Sequence, residues 1–203
     1  KTDVLVIGGG AAGMGAAFAA QKEGAEVIIV ERTETLGGIL NQCIHNGFGL
    51  HYFKEELTGP EYAYKFKEIV EENKIKFLTN RFLYKIDEEK KEVYFTSETG
   101  IEKVECKALV YTAGARERPY GSLLIPGDRV SGIYTAGVAQ KLTNLENRLP
   151  GKKALILGSG DIGLIMARRL TLEGMKVEAV LERMPYPGGL ARNINQCLKD
   201  FDI

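Results

Sequence analysis

The sequence predicts an α/β chain made of two parallel βαβ units in tandem, the first completed by an antiparallel three-stranded meander, the second incomplete. Three observations predict it. The apolar run Val4-Leu-Val-Ile7 leads into Gly8, Gly10 and Gly13, spaced G-x-G-x-x-G. A second apolar run, Val27–Val30, follows a small-residue stretch and ends in Glu31, 23 positions after Gly8. The arrangement then recurs: Ala154-Leu-Ile-Leu157 leads into Gly158, Gly160 and Gly163, 150 residues after the first three, and Lys176–Leu181 leads into Glu182.

Val4–Ile7 has no polar member, the pattern of a strand covered on both faces. Gly8 permits the tight turn out of that strand. Gly10 removes the Cβ that would keep a pyrophosphate from the backbone, and Gly13 lets the next helix pack close on the sheet. The helix, Ala11–Lys22, offers an anion its unpaired N–H groups and positive dipole end. Ala11 and Ala12 therefore join the glycines as phosphate-side positions. Glu31 is placed to accept both hydrogen bonds of an adenosine ribose, with Arg32 beside it.

Asn41–Thr58 is rich in Gly, His and aromatics, has no clear period, and reads as a long functional loop. Pro60–Asn73 reads as a helix with Ala63, Phe66, Ile69 and Val70 on one face. Ile75–Leu78 is a third strand. Arg81–Asp87, with Leu83 as a cofactor-side candidate, Glu92–Ser97 and Ile101–Cys106 alternate apolar and polar residues as a meander. Ala108–Thr112 reads as a further buried strand ending in Ala113-Gly114. Arg116–Pro126 reads as a connection punctuated by Pro and Gly, and Ile133–Asn147 as a helix before the second glycine loop.

The second copy matches the first beyond the glycines. Helix Asp161–Glu173 carries Asp161 and Ile162 in its first turn; Asp161 either caps the helix or faces solvent. Each glutamate is followed by Gly-Gly (Gly37-Gly38, Gly188-Gly189) and then by Gln-Cys (Gln42-Cys43, Gln196-Cys197). Four matched features in one order indicate two dinucleotide-binding units, with domains at 1–118 and 119–203. The second unit has no counterpart of the third strand, meander and closing strand, so the chain reads as a fragment. An unpaired edge on a two-stranded sheet predicts a homo-oligomer or local disorder near the C-terminus.

Composition narrows the function. Lys+Arg and Asp+Glu balance at 27 each, so no basic excess points to nucleic acid and no basic amphipathic stretch to a membrane surface. No apolar run has the length of a membrane span, and the start is not a signal peptide. Cys43, Cys106 and Cys197 are odd in number and form no C-x-x-C pair or metal set, which fits a reduced, cytoplasmic setting.

Gly8–Gly13 with Glu31, Gly37-Gly38, Thr112-Ala113-Gly114-Ala-Arg116, and Gly158–Gly163 with Glu182 resemble the flavoprotein family with two dinucleotide folds, the relatives of the pyridine-nucleotide disulfide reductases. The resemblance implies FAD in the first unit and NAD(P)H in the second, with Thr112, Ala113, Gly114 and Arg116 closing the FAD domain. It also implies a later segment that returns to the FAD domain. Without that segment FAD is expected to bind more weakly. Disulfide reductases of the family follow Gly-Gly with C-x-x-x-x-C, but the two positions here hold Leu40 and His45, and the second unit has no C-x-x-C. Dithiol relay needs two close thiols, so an enzyme without that dithiol is expected.

The run Gly37 to His51 resembles a narrower group: FAD oxidoreductases accompanying anaerobic glycerol-3-phosphate dehydrogenases, and the α subunits of amine and amino-acid dehydrogenases. Cys43 is either a flavin-side thiol or a packed loop thiol. His45 and His51 are acid/base candidates or loop histidines satisfied by backbone. Glu182 favours a free ribose hydroxyl, hence NAD over NADP, although Arg183 follows it. The expected activity is hydride transfer between a nicotinamide and bound flavin, and the expected partner is a dehydrogenase or electron-carrier subunit. The alternative is a non-catalytic nucleotide-binding or electron-transfer subunit.

Overall fold

A computed structural model describes residues 1–203, which form two compact units, Lys1–Ala115 and Arg116–Ile203. Its architecture is mixed α/β, and no helix is long and apolar enough to cross a membrane.

The first unit opens with β1 (Thr2–Ile7), α1 (Ala11–Lys22) and β2 (Val27–Val30). The two strands are parallel, with Val4 opposite Val27 and Ile7 opposite Val30. A 3₁₀ turn at Gly38–Gln42 and a small antiparallel pair, β3 (Asn46–Phe48) and β4 (Leu57–Thr58), lead to α2 (Gly59–Glu72). Then come β5 (Lys76–Leu78), β6 (Phe82–Asp87), β7 (Glu92–Ser97) and β8 (Gly100–Tyr111). These strands form one sheet in the order β5-β2-β1-β8-β7-β6. The pairs β5/β2, β2/β1 and β1/β8 are parallel, and β8/β7 and β7/β6 antiparallel.

Alternate residues of the central strands go to opposite faces, as the pleat requires. Val6, Val27 and Ile29 join Met14, Ala17, Leu36, Phe66 and Val70 under the helices. Leu5, Ile7, Ile28 and Val30 join Val93, Phe95 and Cys106 on the other face. Each fully buried side chain of this size contributes about 1.5–3 kcal/mol, which is why the apolar runs of β1 and β2 are legible without alternation.

One expected break is absent. Ile101–Cys106 and Ala108–Thr112 are not two strands but parts of β8. Its first half pairs antiparallel with β7, Ile101 opposite Thr96 and Glu105 opposite Glu92. Its second half pairs parallel with β1, Cys106 opposite Thr2 and Tyr111 opposite Ile7. The pattern changes at Lys107 because the strand changes partners there, not because the chain turns. Lys107 stays exposed and pairs with Asp3 at 2.5 Å. The second half is also less buried than expected, with Ala108 and Tyr111 exposed.

The stretch Asn41–Thr58, expected as a loop, is held down by aromatic packing. The Phe53 ring lies 5.5 Å from Tyr62 and 5.4 Å from Phe66, and Tyr52 lies 5.1 Å from Phe66. It ends in a capping box: Glu61 Oε2 accepts from Thr58 N at 2.7 Å, and the Thr58 hydroxyl oxygen accepts from Glu61 N at 3.5 Å. Thr58→Ala is expected to lower stability by about 1 kcal/mol, read as a lower urea midpoint at unchanged slope. An unchanged midpoint would show the box idle.

The second unit contains α3 (Ala136–Asn144), β9 (Lys153–Leu157), α4 (Asp161–Leu172), β10 (Lys176–Leu181) and α5 (Ala191–Cys197). The strands β9 and β10 pair in parallel. Ala139, Met166, Ala167, Leu170, Met175 and Val177 form its core. The other face of this sheet is bare: Leu155 and Leu157 are 67% and 66% exposed. Their counterparts Leu5 and Ile7 lie under the β7 side chains. Residues expected to be a plain connection, 116–126, include a 3₁₀ turn at Tyr120–Ser122.

Candidate functional site

The first glycine loop joins β1 to α1. Gly8 has φ +101°, and a Cβ there would stand 2.4 Å from the Thr112 carbonyl oxygen. Gly13 is under tighter constraint: its Cβ would lie 1.8 Å from the Gly8 oxygen. Gly10 differs from both. It is extended, φ −75° and ψ −174°, and the nearest atom to a Cβ would be the Gly38 Cα at 4.0 Å. The first and third glycines serve the fold, while the second faces open space. Thr112 pins the turn from the end of β8, its hydroxyl donating to the Ile7 oxygen at 2.8 Å and the Gly8 oxygen at 3.1 Å.

The head of α1 is open chemistry. The first bond inside the helix runs from Met14 N to the Gly10 oxygen at 2.9 Å, and no side chain caps Gly10. The N–H groups of Ala11, Ala12 and Gly13 therefore precede any intrahelical partner, beside the open space at Gly10. Ala11 and Ala12 are exposed. Gly37 and Gly38 lie against this loop, with Gly37 N donating to the Gly9 oxygen at 2.8 Å. A Cβ on Gly38 would come within 3.1 Å of the Gly10 Cα. A cradle lined by Cα hydrogens and amides suits a pyrophosphate, so these residues fit the expected group.

Glu31 is 5% exposed at the end of β2. Its Oε2 accepts from Gly9 N at 2.6 Å, and its Oε1 from Thr33 N and Thr33 Oγ1 at 2.8 and 2.9 Å. Sequence reasoning missed Gly9, Thr33 and Leu36. The signal for Gly9 was the unbroken Gly8-Gly-Gly10 run: a Cβ on Gly9 would meet Leu36 at 2.4 Å. Arg32, Ala113 and Gly114 are exposed near the strand ends, while Leu83 packs against the sheet cluster of Leu5 and Phe95. Arg116 is exposed and begins the second unit.

The candidate catalytic pair follows the Gly38–Gln42 turn, with Cys43 N donating to the Leu40 oxygen at 3.0 Å. Cys43 is buried, and its carbonyl accepts from Gly59 N at 2.9 Å, at the start of α2. Its Cβ packs so closely that a Cβ on Gly59 would meet it at 2.8 Å. His45 Nδ1 lies 2.9 Å from the Asn46 oxygen, and its ring 5.3 Å from Phe48. His51 is exposed, its carbonyl taken by Lys54. All three cysteines are buried thiols, and burial pushes those of Cys106 and Cys197 up from their ordinary value.

The second glycine loop repeats the first. Gly158 has φ +102°, and a Cβ on Gly163 would stand 2.3 Å from the Gly158 oxygen. Gly160 is extended, and a Cβ there would meet nothing within 4 Å. The first intrahelical bond is Leu164 N to the Gly160 oxygen, 3.1 Å, leaving the N–H groups of Asp161, Ile162 and Gly163 at the open end. Asp161 does not cap α4: Gly160 is the N-cap. Instead Asp161 Oδ1 accepts from Leu190 N at 2.7 Å and Asn193 Nδ2 at 2.8 Å. These donors hold its carboxyl below the usual range.

Glu182, unlike Glu31, is exposed at the end of β10. The Ser159 hydroxyl and the amides of Met184, Ser159 and Arg183 pull its pKa down from 4.5 to about 2. A carboxyl group held low in the fold stabilises it fully above the unfolded value of 4.5, and that contribution is lost as pH falls through about 2. The urea midpoint of the chain should therefore converge on that of Glu182→Gln as pH falls across this window. Parallel curves would show that the carboxylate is not held.

Comparison with known proteins adds to this geometry. Residues 2–201 match the family model described as pyridine nucleotide-disulphide oxidoreductase. An opine oxidase subunit from Agrobacterium tumefaciens (strain Ach5) is 27% identical over 209 residues, covering 97% of this chain and 40% of the relative. The chain thus spans about two fifths of that protein. L-proline dehydrogenase from P. horikoshii superposes with a TM-score of 0.73 at 21% identity, covering 88% of this chain and 35% of that one. Bacillithiol disulfide reductase from Bacillus cereus superposes with a TM-score of 0.73 at 19% identity, covering 99% and 64%.

Proposed function

We propose, for a chain that belongs to the pyridine nucleotide-disulphide oxidoreductase family, that the first unit holds FAD, the second holds NAD in preference to NADP, and a hydride passes between flavin and nicotinamide. The observation that carries this reading is the duplication of one built feature. Each unit has an extended, Cβ-free second glycine facing open space, and a carboxylate that accepts from the amide one residue before it. A single such loop serves one nucleotide; two serve a donor and an acceptor.

The flavin, when bound, supplies the hydride chemistry. The chain's own residues bind and orient. The N–H groups of Ala11, Ala12 and Gly13 face one pyrophosphate, those of Asp161, Ile162 and Gly163 the other. Glu31, with three donors in place, keeps one of a carboxylate's about four lone-pair sites for a ribose hydroxyl, whereas at Glu182 a ribose hydroxyl would have to displace one of the four donors already there. Glu182 remains charged at neutral pH, which disfavours a 2′-phosphate. Thr112, Gly37 and Gly38 hold the first loop rigid, and Gly114, with φ +78°, turns the chain away after it. Cys43 is a packed thiol of the loop rather than part of a dithiol relay.

The setting is cytoplasmic in this reading, and electrons leave through another subunit. The naming of the Agrobacterium relative as one subunit of an oxidase supports a partner chain. Equilibrium dialysis with FAD and NADH tests the proposal: one of each per chain is expected, and a protein that binds neither contradicts it. Steady-state turnover of the isolated protein with NADH and an artificial acceptor separates an enzyme from a purely nucleotide-binding subunit, which would show none.

A further inference from the structure

The two glycine loops are fastened to their following arms by different means. In the first unit the tie is backbone, Gly37 N to the Gly9 oxygen at 2.8 Å. In the second unit it is a side chain. Ser159 stands where the first unit has Gly9, and is 2% exposed. Its amide donates to Glu182 Oε2 at 3.0 Å, its hydroxyl donates to the same oxygen at 2.5 Å, and its oxygen accepts from Gly188 N at 2.8 Å. A hydroxyl has one proton. Ionised Glu182 and the amide of Gly188 have no other arrangement to offer it, so the direction of both bonds is fixed.

Glu31 and Glu182 differ in what else restrains them. Glu31 is buried and has the Thr33 hydroxyl as an extra donor. Glu182 is exposed, and apart from Ser159 its donors are the amides of Arg183 and Met184, its own chain neighbours. Those two amides travel with it; only Ser159 ties the carboxylate to the glycine loop. The same oxygen anchors the arm at Gly188, which Asp161 secures at Leu190 and Asn193. Arg183, directly after Glu182, is exposed and carries the charge that a 2′-phosphate would seek.

We infer that Ser159 is a specificity-determining positioning residue. It keeps the charge of the Glu182 carboxylate turned to the glycine loop, where it repels a 2′-phosphate and tolerates a free ribose hydroxyl. The inference rests on the reading that the second unit holds a nicotinamide coenzyme. Without the hydroxyl the carboxylate keeps only the Ser159 amide as its tie to the glycine loop, so it turns more readily toward solvent and leaves the Arg183 charge less opposed for an incoming adenosine ribose.

The test is the dissociation constants of NADH and NADPH, by fluorescence titration of the FAD-loaded protein, for wild type, Ser159→Ala, Ser159→Thr and Glu182→Gln. Wild type should prefer NADH. Ser159→Ala should narrow the NADPH-to-NADH ratio of dissociation constants by about tenfold, or about 1.4 kcal/mol, approaching Glu182→Gln. Ser159→Thr, which keeps the hydroxyl, should retain the wild-type ratio, and FAD content should be unchanged in all. Ser159→Gly, copying Gly9, carries the same expectation as alanine and supplies the measurement if the alanine variant does not fold. An equal weakening of both coenzymes at constant ratio would overturn the inference, because a merely structural serine acts on both alike. A wild type that binds neither coenzyme would overturn the functional reading itself.

Discussion

Gly10→Val is expected to abolish FAD binding in a protein that still folds, and Gly160→Val to abolish NADH binding while FAD stays. The backbone permits both changes. Gly10 sits at φ −75°, ψ −174° and Gly160 at φ −64°, ψ 165°, which are ordinary angles for a β-branched residue. The fold leaves room as well: a Cβ at Gly10 has only the Gly38 Cα, at 4.0 Å, and one at Gly160 has no neighbour within 4 Å. What the branched side chain fills is the space beside the open amides of the following helix, where a pyrophosphate must lie. Each change should weaken its own dinucleotide at least about 100-fold, or about 2.7 kcal/mol. Thermal midpoints of the ligand-free proteins should move little. Release of FAD by Gly160→Val with NADH binding intact would reverse the assignment of the units.

Gly13→Ala is expected to do the opposite and damage the fold itself. Its Cβ would stand 1.8 Å from the Gly8 oxygen and 2.9 Å from the Thr112 hydroxyl. Both are held, the oxygen by the turn out of β1 and the hydroxyl by its bonds to Ile7 and Gly8. So α1 must lift from the sheet, carrying Met14 and Ala17 out of a closed core. The cost should be about 3 kcal/mol or more, at the upper end of overpacking. Gly15→Ala is the internal control. It lies two residues along the same helix with nothing within 4 Å of its Cβ, and should stabilise by about 0.5–1 kcal/mol through helix propensity. Urea midpoints decide. If the two alanines behave alike, the helix is not held against the turn as described.

These two kinds of glycine explain how much of the molecule was legible in its sequence. The spacing of Gly8, Gly10 and Gly13 encodes a local turn, and local turns leave short-range marks. The bounds of α1 and β2 followed directly from it, Ala11–Lys22 and Val27–Val30. The meeting of Gly37 and Gly38 with Gly10 was not readable, because it joins backbone to backbone across about 27 residues and no side chain records it. Asp161 misled for a related reason. An acidic residue in a first turn ordinarily serves its own helix, but here the arm returns to it 29 residues later through Leu190. Ser159 went unremarked because in the motif it is simply an x. Its role appears only when Glu182 and Gly188 are brought to the same hydroxyl. At β8 the pattern was read correctly and interpreted wrongly: two environments along one strand look like two strands when the partner change is unseen.

The measurement that bears most directly on the two-site reading is anaerobic titration of the FAD-loaded protein with NADH, followed at the flavin absorbance. Bleaching complete at one equivalent of NADH, with Gly160→Val protein remaining yellow under the same conditions, is the predicted result. A protein that holds FAD but whose flavin stays oxidised in excess NADH, or that bleaches equally well in the Gly160→Val variant, would contradict it.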